Sequence, residues 1–135
     1  MFRRIIEVDK QMTTKQLEKL DRKVAEALGW TKIKYECLSF KEKNLKFLNK
    51  SRLVGLSPGN FRKQFVPHFT LNLAYAWKCV EFARKHDILV SINTYDNSIG
   101  VEFTHKAKPS VIGVAFHEAL SMSICLAFLD LNKSL

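Results

Sequence analysis

The sequence ILVSINTYDNSIGVEF, residues 88–103, decides the fold of this chain because it holds two apolar runs separated by turn-forming residues. Ile88–Ile92 is rich in β-branched side chains, and Ile99–Phe103 alternates apolar with polar or small residues, as in a strand with one buried face. Asp96–Ser98 between them favours a turn. The stretch therefore predicts an antiparallel hairpin, and the apolar run at 111–116 predicts a further strand of the same sheet.

A helix is predicted well before this hairpin, beginning near residues 13–16, whose sequence TTKQ has the form of a capping box. Apolar residues recur with the helical period as far as Leu28, and Gly29 is the residue type that ends a helix in the left-handed conformation. Residues 21–23, Asp-Arg-Lys, lie off the apolar stripe, so we expect them to face water. Alternation of apolar and polar residues over 31–40 then predicts a half-buried strand.

Two more helices are predicted around the sheet. One follows Pro67, with Thr70 as its predicted N-cap and an apolar stripe over residues 73–83 that includes Trp77. The other covers residues 121–131 and is apolar on most sides, so we expect it to pack on the sheet. The predicted fold is α/β of the α+β type, a small and mainly antiparallel sheet of three to five strands packed with three helices.

Length and composition fit one domain. The chain has 135 residues, of which 47% are hydrophobic, enough to bury a core without disulfides or metal ions. We predict a single domain over residues 1–135, with residues 1–12 as an N-terminal arm or strand and residues 41–66 as a basic insertion or loop. The arm is predicted to add a strand to the sheet of a second copy, so we expect a homodimer or a larger assembly.

The positive charge excess lies in the first half of the chain. Residues 1–66 contain 16 Lys or Arg against 7 Asp or Glu, whereas residues 67–135 contain 6 of each kind. Residues 41–63 contain 7 basic residues against a single acidic one, Glu42, and this density attracts phosphates or acidic protein surfaces. A solvated, lysine-rich loop explains the same composition equally well.

The cysteines and the hydropathy pattern bear on the compartment. Cys37, Cys79 and Cys125 are an odd number without metal-binding or redox spacing, which favours a reducing environment. The apolar run at the N-terminus is too short for a signal peptide, and no run of about 18 apolar residues occurs. We therefore expect a cytosolic protein that does not enter a membrane.

No sequence pattern indicates catalysis, a metal or a cofactor. His68, His86, His105 and His117 lack the spacing of metal ligands, and no acidic cluster accompanies them. The glycine patterns that cradle phosphates or expose a nucleophile do not occur in the sequence. We predict a protein that is not an enzyme and uses no cofactor.

The segment 52–69 is the predicted ligand site. It interleaves cations with aromatic rings, a combination that suits a nucleotide because a guanidinium binds phosphate and a ring stacks on a base. The candidate ligand-binding residues are Arg52, Arg62, Lys63, Phe65 and His68. The alternative interpretation is that the phenylalanines belong to the core and the cations merely point outward.

Several blocks of the sequence resemble a known family. They are VAEALGW at 24–30, VPHFT at 66–70 leading into AYAWKCVE at 74–81, and SICLAFL at 123–129. In this order they resemble the phage ABA-sandwich domain family of small bacteriophage and prophage proteins, although Met122-Ser123 departs from its usual pattern. The resemblance implies helices that enclose a small sheet, a phage gene product in the bacterial host cytoplasm, and no established common chemistry.

Three functions of different classes fit these features. The first is a phage counter-defence protein that binds and sequesters an anionic, nucleotide-type ligand, which agrees best with the missing catalytic motifs. The second is a nucleic-acid-binding accessory protein of a phage, whose basic segment would contact phosphates. The third is an inhibitor of a host defence or CRISPR effector that docks the basic segment on an acidic protein surface.

Overall fold

The structure, a computed structural model, describes residues 12–37, 51–60 and 62–134. The described residues form three helices and two antiparallel sheets of three strands each. In chain order the elements are α1 (Thr14–Ala27), β1 (Thr31–Cys37), β2 (Ser51–Leu56), β3 (Lys63–Phe65), α2 (Leu73–Lys85), β4 (Ile88–Thr94), β5 (Ile99–His105), β6 (Ile112–His117) and α3 (Leu120–Ser134). The predicted α+β class is confirmed, but the strands divide between two sheets instead of forming one.

The second sheet, β4-β5-β6, contains the predicted hairpin. Strands β4 and β5 pair without a register shift from Ile88 opposite His105 to Thr94 opposite Ile99, and the Tyr95 amide donates to the Ser98 carbonyl at 2.8 Å in the turn. The prediction of a hairpin with a third strand beside it is therefore confirmed.

Helix α3 covers this sheet along β6. The helix buries apolar side chains on most of its circumference, including Ile124, Phe128 and Leu131. The contact is close because Gly113 of β6 has no side chain: a Cβ there would lie 2.7 Å from the Leu131 Cα and would also contact the Ala127 carbonyl. The packing predicted for the last helix is confirmed.

The first sheet, β1-β2-β3, includes the described part of the segment predicted as a basic insertion. Residues 51–56 and 63–65 are strands here, because Leu53 is buried in the core opposite Tyr35 and the Phe65 backbone pairs with that of Val54. Residues 41–50 and Phe61 lie outside the described residues. The predicted N-terminal arm, residues 1–12, also lies outside them except for Met12.

One continuous core joins the two sheets to the helices. It contains Ile33 and Leu53 from the first sheet, Val101 and Phe103 from the second, and the buried faces of all three helices. The two sheets therefore belong to one packed unit in the described part of the chain.

Helix α1 begins and ends as its sequence predicts. The Gln16 amide donates to the Thr13 hydroxyl and the Thr13 amide donates to the Gln16 side chain, which completes the capping box. Gly29 follows the helix at a φ of 100°. The prediction for Asp21 is wrong: this side chain is only 2% exposed, because it accepts two hydrogen bonds from Thr70 in the segment that leads into α2.

Helix α2 differs from its prediction at the N-cap and in its apolar stripe. Asn72, not Thr70, accepts hydrogen bonds from the first turn, because the Thr70 hydroxyl is already bonded to Asp21. Ala76 is buried in the predicted stripe, whereas Leu73 and Trp77 are exposed. The buried face of the helix is therefore narrower than its apolar residues predict.

Candidate functional site

A groove of about 580 Å³ lies between α2, the link from α1 to β1, and the β2–β3 part of the first sheet. Its walls are mainly apolar, include five aromatic side chains and come from separate segments of the chain. The aromatic residues that line it are Trp30, Phe65, Phe69, Tyr75 and Phe82. Apolar grooves with a few placed polar groups are the usual form of ligand sites.

One face of α2 supplies both rings and cations to this groove. Tyr75, Lys78, Phe82 and Lys85 line it and follow one another at intervals of three, four and three residues, which places them on the same side of a helix. Glu81 also lines the groove and forms an ion pair with Lys78 at 3.5 Å. Two ammonium groups therefore lie beside the aromatic rings of the groove, and the Glu81 carboxylate partly offsets their positive charge.

Some of the aromatic rings that line the groove are held by packing, and others are accessible to solvent. Phe69 is buried at 1% exposure and contacts Tyr75 edge to face, with ring centroids 6.4 Å apart. Phe82 is stacked with His86 at 4.2 Å and also meets Phe128 edge to face at 5.7 Å. Tyr75 and Phe65, by contrast, are 44% and 38% exposed. Phe69 and Phe82 therefore form a fixed floor, and the rings of Tyr75 and Phe65 are the ones that a ligand can reach.

Of the five residues predicted from the sequence, two are brought together. The guanidinium carbon of Arg52 lies 4.2 Å from the centroid of the Phe65 ring, a cation–π contact. The Arg52 Nε is buried and has no hydrogen-bond partner among the described residues. Phe65 lines the groove, so Arg52 adds positive charge next to its wall.

The other three predicted residues do not line the groove. Lys63 Nζ forms an ion pair with Glu36 Oε1 at 2.7 Å, and this contact lowers the pKa of Glu36 and raises the pKa of Lys63. Arg62 is exposed beside the turn, where its amide donates to the Asn60 side chain. His68 lies 3.5 Å from the Asp21 carboxylate on the other side of the segment before α2.

Asp21 is the centre of a buried polar network. Its Oδ1 accepts from the Thr70 amide and from the Thr70 hydroxyl, each at 2.9 Å. The Thr70 carbonyl in turn accepts from the Ser121 hydroxyl of α3 at 2.8 Å. Burial raises the pKa of Asp21, although the bonds from Thr70 and His68 oppose this shift. The network joins α1, the segment before α2 and α3, which is a structural role.

The described residues contain no group of three or more metal-ligating side chains. Cys79 and Cys125 are free and buried, and the pKa of the Cys125 thiol is raised by its hydrogen bond with Cys79 and by burial. Such thiols pack as small apolar groups. Within the described residues, no helix has the length and apolar character required to span a bilayer.

Comparison with protein-family models, with curated proteins and with solved structures finds no match to this chain. The resemblance to phage ABA-sandwich proteins therefore stays a prediction. The groove itself is the structural basis for any statement about function.

Sequence reasoning missed most of the groove. The predicted site residues did not include Trp30, Tyr75, Lys78 and Lys85. The two lysines look like an ordinary solvent-facing surface of α2. The spacing 75, 78, 82 and 85 is the signal that identifies them, since it groups two rings and two cations on one helix face. The contribution of Trp30 has no local signal because it depends on tertiary packing.

Proposed function

We propose that this protein binds, without transforming it, a ligand that combines a planar ring with a negatively charged group, and that this ligand is a nucleotide. One observation carries the proposal: aromatic rings from four segments and two lysines from one face of α2 line the same groove. Stacking of a base on an aromatic side chain contributes about 1 to 3 kcal/mol, and it does not depend strongly on the identity of the base.

The charges fit this ligand class. Lys78 and Lys85 stand 7 residues apart on α2, about 10 Å along the helix axis, so a nucleotide that stacks on Tyr75 has an ammonium group within reach of its phosphates. Arg52 next to Phe65 adds to the positive potential. Binding without turnover is consistent with thiols that are buried and with a carboxylate, Asp21, that lies in a structural network.

Joined to the phage resemblance, the proposal extends to counter-defence in a bacterial host, where a protein of this kind would sequester a nucleotide-type signal. A contiguous basic surface for a long nucleic acid, or for an acidic protein, receives less support. Lys63 is neutralised by Glu36, and Arg62 lies apart from Arg52 and Phe65 on the exposed turn. Residues 41–50, which carry four of the basic residues in the predicted segment, lie outside the described residues.

The test of the proposal is calorimetric titration of the pure protein with three probes: ATP, a cyclic dinucleotide and ADP-ribose. Tyr75→Leu keeps an apolar side chain but removes the stacking ring, so we expect its Kd to rise about 5- to 150-fold, the equivalent of about 1 to 3 kcal/mol. Tyr95→Leu is the matched control, because Tyr95 is similarly exposed but lies outside the groove.

A second pair of variants separates charge from shape. Lys78→Glu together with Lys85→Glu reverses the charge of the groove and should abolish measurable binding, whereas Lys19→Glu on the exposed surface of α1 should leave it unchanged. Heating the complex and recovering intact ligand distinguishes binding from turnover. The proposal is wrong if none of the three probes binds, or if the groove variants bind as tightly as the controls.

The two alternative functions give different results in the same experiments. A nucleic-acid-binding protein should retain single-stranded oligonucleotides with an affinity that falls steeply between low and moderate salt. A protein inhibitor should bind neither nucleotides nor oligonucleotides, and its activity should depend on Arg52, Arg62 and Lys63 instead of Tyr75.

A further inference from the structure

Exposed strand edges are surfaces on which sheets extend, and most of the edges in this fold are protected. Strand β1 carries Lys32, Lys34 and Glu36, and its pairing with β2 is irregular between Thr31 and Lys34. Strand β3 has three residues and begins with a lysine. Charges, irregular pairing and short length are the usual means by which proteins prevent edge strands from pairing with other chains.

The edge at β6 is protected in another way. The outward-facing amide of Val114 donates to the Asp130 carboxylate at 3.0 Å, and the outward-facing carbonyl of Ile112 accepts from the Ser134 hydroxyl at 3.0 Å. Both partners belong to α3, which therefore occupies the backbone groups that an added strand would need.

Strand β4 forms the opposite edge of the same sheet, and the described residues give it none of these protections. Its sequence, ILVSINT, contains no charged residue and no proline, and its pairing with β5 is regular throughout. Next to the strand, Tyr95 bonds to Ser98 and Lys106 bonds to Asp87, so odd-numbered residues face β5. The backbone groups of the even-numbered residues within Ile88–Thr94 therefore point away from the sheet.

A groove lined by apolar side chains and by two basic ones runs beside this open edge. It has a volume of about 530 Å³ and lies between α2 and β4, where Trp77 and Val80 face Ile92. Trp77, Leu89 and Ile92 are exposed, at 38%, 55% and 38%. A strand added to β4 would bury these side chains while it satisfied the outward-facing backbone groups.

We infer that β4 of a second copy of this chain occupies the edge, antiparallel to the first and related to it by a two-fold axis at Ser91. This is the two-fold register in which all seven residues of β4 have partners, with Ile88 opposite Thr94 of the second copy. Its outward-facing residues form hydrogen-bonded pairs, and the two Ser91 residues form a non-hydrogen-bonded pair. The result is a continuous six-stranded sheet.

Charge complementarity favours the second copy as the occupant. Arg84 and Lys106 line the groove near Ile88 and outnumber the one carboxylate described there, Asp87, whereas Asp96 lies in the turn just beyond Thr94. The antiparallel arrangement brings the Thr94 end of each copy to the Ile88 end of the other, so opposite charges approach at both ends of the interface. A symmetric pair of this kind is closed, and it contains no further open edge on this sheet.

The direct test is the solution mass of the full chain, measured by light scattering at several concentrations. We expect twice the chain mass of 15.6 kDa. Ile92→Lys places two ammonium groups near the centre of the interface and should raise the dimer Kd by about tenfold or more. Leu71→Lys is the matched control, because Leu71 is exposed outside the β4 groove and should leave the dimer unchanged.

Two further variants test the register and exclude misfolding. Ile92→Pro removes an outward-facing amide without breaking the β4–β5 pairing, so it should give a folded monomer with an unchanged circular dichroism spectrum. With oxidised glutathione, Ser91→Cys should form an interchain disulfide in preference to Asn93→Cys. A monomeric parent chain would overturn the inference, as would a dimer that survives both Ile92 variants or that crosslinks no better through position 91.

Discussion

At the scale of single residues, Asp21 shows how a side chain on the polar side of a helix becomes buried through hydrogen bonds with a distant residue. Its carboxylate accepts from both hydrogen-bond donors of Thr70, the amide and the hydroxyl, 49 residues further along the chain. Helical periodicity predicts a solvent-facing residue because the pattern contains no information about that distant partner. The same contact explains why Thr70 does not cap α2.

Removal of the Asp21 side chain should therefore destabilise the protein. Asp21→Ala leaves the buried amide and hydroxyl of Thr70 without an acceptor, and we expect a loss of about 1 to 3 kcal/mol in the free energy of unfolding. Asp21→Asn keeps the Oδ1 acceptor and should cost less. Urea denaturation of the two variants and the parent chain measures the difference, and equal losses would contradict this assignment.

The raised pKa of Asp21 predicts a dependence on pH. The folded state holds this proton more tightly than the unfolded state, whose carboxyl titrates near the ordinary value of 3.8. The contribution of Asp21 to stability is therefore complete below 3.8 and falls as the pH rises to the raised value. Relative to the parent chain, Asp21→Asn should gain stability as the pH increases across this window.

The measurement is a series of urea denaturation curves from about pH 3 to about pH 7. His68→Gln should be present in both chains, so that the imidazole beside Asp21 does not contribute to the difference. A constant difference between the two chains over the whole series would contradict the predicted direction.

At the scale of elements, local signals predict structure well where the interactions are local. The capping box at Thr13, the stop at Gly29 and the turn between β4 and β5 depend on residues only a few positions apart, and all three occur as predicted. The exposed stripe of α2 could not be predicted in the same way. Trp77 is apolar at a helical interval, but whether it is buried depends on what packs beside β4.

The approach of α3 to β6 depends on a single glycine. In Gly113→Ala the new Cβ would overlap backbone atoms of α3, including the Leu131 Cα at 2.7 Å, so the helix must move away from the sheet. We expect a loss of about 1 to 3 kcal/mol or more in the free energy of unfolding. Gly100→Ala is the control, because its new Cβ would meet the Phe116 and Tyr95 rings, which can turn, and it should lose less. Thermal denaturation compares the two, and equal losses would contradict the backbone contact.

At the scale of the whole molecule, the two sheets share one core and should unfold together. Trp30 lies next to the first sheet and Trp77 lies beside β4, so each reports on a different part of the fold. In Trp30→Phe and Trp77→Phe, fluorescence of the remaining tryptophan should follow circular dichroism with the same urea midpoint. Midpoints by the two probes that differ within either variant would show that the sheets unfold separately.

The candidate site belongs to this scale as well, which is why the sequence predicts only part of it. Arg52 and Phe65 were predicted because they lie in one short basic and aromatic segment, and they do meet. Trp30 and Tyr75 come from segments on either side of it and reach the groove only through the packing of the first sheet against α2. Proximity along the chain identified one wall of the groove, and folding supplies the others.

In the proposed dimer, the side chains of Asp130 and Ser134 would also limit how far assembly through the second sheet can proceed. A sheet with one open edge forms closed pairs, whereas a sheet with two open edges can add copies at both ends without limit. Proteolysis of α3 ahead of Asp130 would uncover the second edge and convert a pairing surface into one that supports fibre growth. In the proposed dimer, the last turns of α3 would thus prevent further copies from adding at β6.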